Sequence, residues 1–262
     1  MSDQVTHVLI DRRDGVATLT LDGAQTRNAL GPDVYVSVQA HLLDAEQDPD
    51  VRAIVLTGAG GFFSSGGNVR ALKASGQSSL SAVTGNTDRL NAMIKAVTDG
   101  TKPVIAAVEG GASGAGFSLC LACDLIVASE TAVFSAAYVR VGLSPDGGAT
   151  YFLRRALPRQ LVSEICMFGQ SVPAERLAAA GLVNHLVPQG QARARALDLA
   201  ARLAAGPSAA LGTIKRLIGA AEVSGLAAQL DDEARAINLA RFGPEAAEGL
   251  AAFLEKRRPD FG

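Results

Sequence analysis

The sequence predicts an α/β fold, because short apolar strands run into glycine-rich turns that open onto helical segments. Residues 53–57 form a branched apolar strand that ends in glycines between positions 58 and 61. Residues 103–108 form an unbroken apolar strand, and a second set of glycines follows over 110–116 before the next helix. Unbroken apolar strands are typical of sheets buried on both faces. The repeated order of strand, turn and helix indicates functional loops at the strand ends.

The elements before the first of these strands follow from hydrophobic periodicity. Apolar and polar residues alternate over 5–11 and 15–22 on either side of a short polar turn, which predicts a β-hairpin. Pro32 suits the first turn of a helix. Apolar residues three or four positions apart extend that helix to about residue 48.

Between the two apolar strands, the chain is less regular. Residues 75–87 are small and polar, which predicts a mobile loop. A helical face follows over 90–97, and a further strand is predicted over 125–128 after the second glycine turn.

Beyond Pro173 the pattern changes to amphipathic helices with one short strand between them. The helices are predicted over residues 174–180, 191–205, 207–219, 226–239 and 244–256, and the strand over 182–187. The part after residue 205 is too small and too amphipathic to bury a core of its own. We therefore predict a core with the functional site over 1–205, and a helical region over 206–262 that packs on that core or on a partner subunit.

Composition and charge exclude several classes of protein. The 262 residues include 24 basic and 26 acidic side chains, and the net charge of −2 does not favour nucleic acid as a partner. Three cysteines and no apparent secretory signal predict a reducing, cytoplasmic location without a disulfide framework. No apolar run reaches the roughly 18 residues of a membrane helix, so we expect no membrane partner.

Two short motifs have alternative interpretations. Cys120 and Cys123 are spaced like half of a zinc site, but no second pair of ligands is near in sequence, which favours helix packing. Residues 111–115 (GASGA) nearly match the nucleophile elbow G-x-S-x-G, but Ala115 replaces its last glycine and only His185 follows as a histidine. The same segment lacks the glycine spacing of a dinucleotide loop.

The two glycine turns, at 66–67 and 114–116, offer simpler chemistry. Each turn precedes a helix and leaves backbone N–H groups free at the helix N-terminus. One donor from each turn would make a two-point site for a developing oxyanion. The alternative is that the glycines serve tight packing alone.

Six stretches of the chain resemble the crotonase (enoyl-CoA hydratase/isomerase) superfamily in order and spacing. They are residues 27–30 (RNAL), 63–68 (FSSGGN), 102–110 (KPVIAAVEG), 123–124 (CD), 142–148 (GLSPDGG) and 252–257 (AFLEKR). The resemblance covers nearly the whole chain and implies a crotonase-like spiral of ββα units with a C-terminal helical trimerisation region. It also implies an acyl-CoA thioester substrate, a homotrimer or dimer of trimers, and no metal or redox cofactor, since coenzyme A is part of the substrate.

The resemblance also implies roles for individual residues. By position, the backbone N–H groups of Gly67 and Ala115 would be the oxyanion donors. Ala115 replaces a frequent glycine, and Asn68 replaces a frequent aspartate, which puts only a structural contact in doubt. The positions that would line the substrate or its CoA are Arg27, Ala29, Ser65, Gly66, Asn68, Gly114, Ser118, Tyr138, Phe253 and Lys256, and a neighbouring subunit often contributes the last two.

The acid–base group separates the activities of the superfamily. Hydratases use two glutamates to activate water, and their positions carry Ser118 and Tyr138 here. Neither is a good general base near neutral pH, and packing is the favoured interpretation of both. Asp146 precedes a helix, where aspartate can serve as an N-cap. However, the stretch around it resembles the bacterial isomerases of phenylacetate degradation.

These residues predict an isomerase in which Asp146 moves a proton from C2 to C4 of a 3-enoyl thioester. Hydration remains the alternative. A dehalogenase of the superfamily would need a tryptophan near the ring and a histidine base, and the chain has no tryptophan. Thioester hydrolysis and non-catalytic acyl-CoA or RNA binding also stay open at this point.

Overall fold

The computed structural model describes residues 5–262, with Ser75 described by its backbone alone. Its strands are β1 (His7–Arg13), β2 (Val16–Asp22), β3 (Ala53–Gly58), β4 (Val104–Val108), β5 (Gly111–Ser113), β6 (Leu125–Ser129), β7 (Val133–Ser135), β8 (Val172–Pro173) and β9 (His185–Val187). Its helices are α1 (Pro32–Gln47), α2 (Val69–Ser75), α3 (Leu80–Thr98), α4 (Ala115–Ala122), α5 (Ala149–Ala156), α6 (Arg159–Phe168), α7 (Ala174–Ala179), α8 (Ala192–Ala204), α9 (Ser208–Ala221), α10 (Leu226–Ala240) and α11 (Pro244–Glu255). The prediction that the chain has no secretory signal rests partly on residues 1–4. Those four residues lie outside the described part of the structure.

The larger sheet has the strand order β1-β2-β3-β4-β6-β9. Strands β1 and β2 form the predicted hairpin, and the pairs from β2 to β9 are parallel. Every residue of β4 is buried, because the sheet separates two apolar clusters. Helices α1, α3 and α4 supply one cluster, and α8 supplies much of the other. Since parallel strands end at the same edge, the turns after β3 and β4 meet there.

A smaller sheet of β5, β7 and β8 lies beyond that edge. Isolated parallel bridges connect its first strand, through Ser64 and Ala112, to the turn after β3. A second bridge joins Gly67 to Leu30, just before α1. The backbone pairing thus continues through both glycine turns and holds them side by side.

The C-terminal helices contribute little to the core of their own chain. Within α9, α10 and α11, the buried residues are Gly212 and Ala252. Large apolar side chains lie exposed on these helices and the turns between them: Ile214, Ile218, Val223, Leu226, Leu230, Ile237, Leu239, Phe242, Leu250, Phe253 and Leu254. Across residues 5–262, no helix is both long enough and apolar enough to cross a membrane.

One ion pair, between a largely buried lysine side chain and a more exposed aspartate, attaches α9 to the sheet. The Lys215 side chain is 7% exposed, and its Nζ lies 2.8 Å from Asp124 Oδ2. The same ammonium donates to the carbonyls of Val97 and Lys102, and the same carboxylate oxygen accepts from the N–H of Val104. The pair therefore ties α9 to the ends of α3, β4 and α4 at one point.

The predicted mobile loop over 75–87 is wrong for most of its length. Ser79 caps a helix by accepting a hydrogen bond from the N–H of Ala82, and α3 begins at Leu80. The buried face of α3 starts only at Leu90. The first turns therefore have no apolar stripe and look like a loop in sequence. The other predicted helices and the predicted strands are present, and β5, β7, β8 and α6 were not predicted.

We expect Lys215→Met to destabilise the fold by about 2 kcal/mol, because it removes the charge-assisted hydrogen bonds from a largely buried ammonium to the Val97 and Lys102 carbonyls and to Asp124. The free energy of unfolding in urea measures this effect. The neighbouring Arg216→Met is the matched control, since Arg216 pairs with Asp232 at the surface and its loss should cost about 1 kcal/mol or less. Equal losses in the two variants would show that the Lys215 contacts have no special role.

Candidate active site

The turn after β3 is held by the buried side chain of Asn28. Asn28 is 0% exposed, and its Oδ1 accepts from the N–H of Gly23, which follows β2. Its Nδ2 donates to the carbonyls of Ala59 and Phe62, which follow β3. Asn28 has φ +56°, a left-handed conformation that asparagine tolerates well. One amide thus joins the ends of two neighbouring strands.

The next residues continue this hydrogen-bond network towards the glycines. The Ser64 hydroxyl donates to the Asn28 carbonyl at 2.8 Å and accepts from the N–H of Gly66 at 3.1 Å. Ser65 donates its hydroxyl to the Thr26 carbonyl at 2.8 Å. The predicted binding residue Ser65 therefore has its side chain engaged in the turn itself, where it positions Gly66.

The two glycine turns touch so closely that side chains are excluded between them. A Cβ on Gly66, which has φ +84°, would lie 2.3 Å from the Ser113 carbonyl oxygen and 3.2 Å from the Ala115 nitrogen. A Cβ on Gly116 would lie 2.6 Å from Ser64 Cβ. The glycines therefore serve close packing, and that packing brings Gly66–Gly67 against the start of α4.

Two backbone donors remain free in this contact. Neither the N–H of Gly67 nor that of Ala115 meets an acceptor among the described residues. Ala115 is the first residue of α4, where the N–H has no acceptor within the helix. Two free donors on adjoining turns are what a two-point oxyanion site requires.

Asn68 closes the first turn as the N-cap of α2. Its side-chain oxygen accepts from the N–H groups of Arg70 and Ala71. Asparagine performs this role as well as aspartate, so its difference from the family pattern leaves the turn intact. Leu72 of α2 packs next to Gly67, since a Cβ there would lie 3.3 Å from Leu72 Cδ1.

Three predicted site residues form one hydrogen-bonded cluster beside the second turn. The Tyr138 hydroxyl donates to Asp146 Oδ1 at 2.8 Å. The Ser118 Oγ lies 3.0 Å from that hydroxyl and 2.9 Å from the Asp146 carbonyl, to which it donates. Ser118 is fully buried and Tyr138 packs against the core, as the packing interpretation expects, and both hydroxyls also hold the Asp146 segment. The Tyr138 ring also borders Gly114, where a Cβ would lie 3.9 Å from Cζ.

Burial sets the electrostatics of this cluster. Desolvation raises the pKa of Asp146, and the hydrogen bond from Tyr138 partly offsets that rise. Burial and the nearby Asp146 charge raise the pKa of Tyr138, so its phenol keeps its proton and stays a donor. A carboxyl group with a raised pKa is a stronger base when ionised and a competent acid when protonated.

The N-cap interpretation of Asp146 is wrong. Helix α5 is capped by Gly148 at φ +81°, without a side-chain hydrogen bond. Gly147 also has a positive φ of +57°. These two glycines turn the chain between Asp146 and the helix, so the carboxylate contacts Tyr138 instead of the first turn.

The predicted CoA-binding residues lie in two separate places. Arg27 is exposed, with its guanidinium 5.5 Å from the centre of the Phe62 ring, and the Ala29 carbonyl accepts from the Thr6 hydroxyl. Phe253 is 81% exposed on α11, which is followed by the exposed Lys256. The chain end beyond α11 contacts Arg52 at the start of β3, whereas the glycine turns follow the strand ends. One chain therefore does not bring Phe253 and Lys256 to the candidate site.

No metal site accompanies these groups in the described part of the chain. No cluster of three or more His, Cys, Asp or Glu side chains occurs there. Cys120 is buried, and Cys123 contacts the Leu119 carbonyl one turn earlier, as expected for cysteines packed in a helix. Burial raises the pKa of both thiols, which disfavours the thiolate that a metal needs.

A profile of the family described as Enoyl-CoA hydratase/isomerase matches residues 11–262. The chain belongs to this family. The match confirms the crotonase resemblance and the fold that it implied. The probable enoyl-CoA hydratase of Rhodobacter capsulatus is 36% identical to this family member over 248 residues, covering 95% of each chain.

Other relatives carry both activity names. The 1,2-epoxyphenylacetyl-CoA isomerase of Escherichia coli (strain K12) is 33% identical over 248 residues, covering 94% of this enoyl-CoA hydratase/isomerase family enzyme and 95% of the relative. An enoyl-CoA hydratase from Polaromonas sp. JS666 has a solved structure with a TM-score of 0.95 and 42% identity. That comparison covers 97% of this chain and 98% of the other. Family membership therefore shows an enzyme of the hydratase/isomerase type and leaves the individual reaction open.

Sequence reasoning missed the residue that holds the first turn of this family enzyme's candidate site, and it also missed a buried tyrosine on α1. Asn28 was noted only as part of a motif, although asparagine in a polar turn is a signal for a left-handed residue with a local hydrogen-bonding role. Tyr35 lies on α1 and is 8% exposed, and burial together with the Asp146 charge raises its pKa to about 12. A tyrosine among the apolar positions of a helix was the available signal.

We expect Tyr138→Phe to move the acidic limb of the pH–rate profile to higher pH. The substitution removes the hydrogen bond that lowers the pKa of Asp146, so the carboxylate takes up its proton at a higher pH. The pH dependence of kcat/KM reports the free-enzyme group. Tyr151→Phe, at an exposed position of α5, is the control and should leave the limb in place. A limb that stays in place in Tyr138→Phe, or moves to lower pH, would contradict the described contact.

Proposed function

We propose that the enzyme isomerises 3-enoyl-CoA thioesters to 2-enoyl-CoA thioesters, with Asp146 as its acid–base group. The observation that carries the proposal is the Tyr138–Asp146 hydrogen bond at 2.8 Å. The two positions that hold glutamates in the family's hydratases are here occupied by hydroxyl groups that orient a different carboxylate. The site therefore has a base for carbon acids, but lacks the glutamate pair that activates water.

The proposed reaction needs one shuttling carboxyl group. Ionised Asp146 removes a proton from C2, and the electron pair moves to the thioester oxygen. The N–H groups of Gly67 and Ala115 stabilise that oxyanion, and each donor contributes on the order of 10²–10³ in rate. Asp146 then returns its proton to C4 as the C3=C4 double bond moves to C2=C3. The site consumes no water and no cofactor in this sequence.

Tyr138 and Ser118 support both halves of the cycle. When Asp146 is ionised, the phenol donates to its carboxylate, and Ser118 holds the same segment by donating to the Asp146 backbone carbonyl. When Asp146 carries the proton, the same contacts keep the carboxyl group in place for its return. Arg27, free of any ion pair in the described residues, is suited to a CoA phosphate.

Hydration is the second candidate function, because several relatives are named hydratases, including the R. capsulatus protein. The relative named 1,2-epoxyphenylacetyl-CoA isomerase favours double-bond or ring chemistry instead. A direct comparison decides between them. The enzyme is incubated with 3-hexenoyl-CoA and, separately, with 2-hexenoyl-CoA, and conjugation and hydration are followed by their absorbance changes. Faster hydration than isomerisation would refute the proposal.

We expect Asp146→Asn to lower kcat for isomerisation by about 10²–10⁴, since it removes the acid–base group. The same change should raise Tm at pH 7. The raised pKa of Asp146 means that the buried charge costs stability once the pH exceeds the folded-state value, and this cost vanishes below the unfolded-state value. The stability difference from wild type should therefore shrink on acidification.

The control for Asp146→Asn is Asp50→Asn, at an exposed position after α1, which should change neither activity nor Tm. Retained isomerisation in Asp146→Asn would overturn the role of the carboxylate. Loss of activity with a lower Tm would indicate a structural role only.

We propose further that the enzyme assembles as a trimer or a dimer of trimers through α9, α10 and α11. Their exposed apolar side chains exceed what an isolated chain in water normally leaves uncovered. Assembly would also allow Phe253 and Lys256 of one protomer to reach the CoA of another. Sedimentation equilibrium should give three or six times 26.9 kDa, and a monomer at micromolar concentration would contradict this proposal.

A further inference from the structure

The direction of the Gly67 N–H is set by the peptide plane that it shares with the Gly66 carbonyl, because a peptide group is rigid. Gly66 has φ +84°, so neither a helix nor a strand fixes that plane. Its carbonyl accepts from the Leu30 N–H at 2.8 Å, and the Leu30 carbonyl accepts from the Asn68 N–H at 3.2 Å. A hydrogen bond to the carbonyl of a peptide also polarises its N–H. Backbone contacts therefore hold this peptide on its carbonyl side.

The other side of Gly66 is held by a side chain, the hydroxyl of Ser64. That hydroxyl accepts from the Gly66 N–H at 3.1 Å and donates to the Asn28 carbonyl at 2.8 Å. Ser64 is 0% exposed, so solvent does not compete for either bond. Because its single hydrogen is committed to Asn28, the hydroxyl presents a lone pair to Gly66. A substitution at position 64 can therefore release Gly66 without touching the backbone contacts.

Ser64 also lies against the second glycine turn. Its carbonyl accepts from the Ser113 N–H at 2.9 Å, in the bridge that joins the two turns. A Cβ on Gly116 would lie 2.6 Å from Ser64 Cβ, so this serine packs directly on the main chain of α4. Gly116 follows Ala115, whose N–H is the second free donor. One small side chain thus separates the Gly67 donor from the Ala115 donor.

We propose that Ser64 is a positioning residue for the oxyanion site. Its hydroxyl aims the Gly67 N–H, and its Cβ sets the spacing between that donor and the Ala115 N–H. The inference rests on the proposed function, because it requires the thioester oxygen to lie between the two donors. A hydrogen bond weakens steeply as its angle departs from linearity. Glycine rotates more freely than any other residue, so loss of the hydroxyl lets the Gly66–Gly67 peptide tilt away from the oxygen.

The kinetic test is Ser64→Ala with 3-hexenoyl-CoA. We expect kcat to fall about 10- to 100-fold, as for an oxyanion donor that is misdirected but still present. KM should change by less than about threefold, since the lost interaction acts mainly in the transition state. The pH limb assigned to Asp146 should stay in place, because Ser64 makes none of its contacts. Ser64→Cys keeps a weaker donor and acceptor, so it should retain part of the lost rate.

A second measurement follows the donors without turnover. Hexanoyl-CoA, which is saturated and labelled with carbon-13 at the thioester carbonyl, is bound to each protein, and its carbonyl stretch is recorded by infrared difference spectroscopy. Hydrogen bonds to the oxygen lower this frequency, so the wild type should show a clear shift and Ser64→Ala a smaller one. Ser129→Ala is the matched control, since Ser129 is also a fully buried serine, hydrogen-bonded to Thr131 after β6. It should keep the wild-type kcat and the full shift.

The outcomes separate this inference from the function on which it rests. Loss of the Ser64 hydroxyl leaves buried partners unpaired, so a lower Tm is expected in any case. A lower Tm with wild-type kcat and shift would leave Ser64 a structural role only and overturn the inference. A reduced kcat with an unchanged shift would overturn it as well. If the wild type does not isomerise 3-hexenoyl-CoA, the proposed function fails, and the carbonyl shift alone decides the role of Ser64.

Discussion

The buried amide of Asn28 is the interaction on which the rest of the site depends. It connects the segment after β2 with the segment after β3, and both lie at the edge where parallel strands end. Without this link, the turn that contains Gly66 and Gly67 would be a surface loop attached only by its ends. With it, Ser64 and Ser65 are anchored to neighbouring backbone, and the turn can press against the start of α4. A polar side chain inside the fold thus positions the backbone groups that we propose as oxyanion donors.

The acid–base chemistry is organised in a different way, through side chains on three separate segments. Ser118 comes from α4, Tyr138 from the short 3-10 turn Ala137–Val141, and Asp146 from the loop before α5. Each contact places a neutral hydroxyl next to a carboxyl group whose burial favours the protonated state. In the proposed reaction, this balance would let one carboxyl group both take up and return a proton. The same burial that makes Asp146 useful is unfavourable for the stability of the fold at neutral pH.

Sequence patterns predicted the architecture well, because strand hydrophobicity and helical periodicity report burial directly. They failed where burial does not accompany structure, as in the first turns of α3, which lie outside the core and begin at a serine cap. The resemblance to a family located Gly67, Ala115 and Asp146, but it did not show what Ser118 and Tyr138 do. Their hydroxyls meet Asp146 across 28 and 8 positions of sequence, and such contacts depend on how separate segments pack. The positive φ angles of Gly147 and Gly148 decided against the N-cap role of Asp146, and a sequence does not display them.

The two free donors at the glycine turns, which we propose as oxyanion donors, are peptide N–H groups, and every residue except proline supplies such a group. Substitution of Ala115 by another small residue would therefore leave the donor in place. Residues 118, 138 and 146, by contrast, act through their side chains, so a substitution there changes what each of them contributes. The hydrogen-bonded cluster around Asp146 can therefore be altered by a point substitution, whereas the two free backbone donors persist when another small residue other than proline takes their positions.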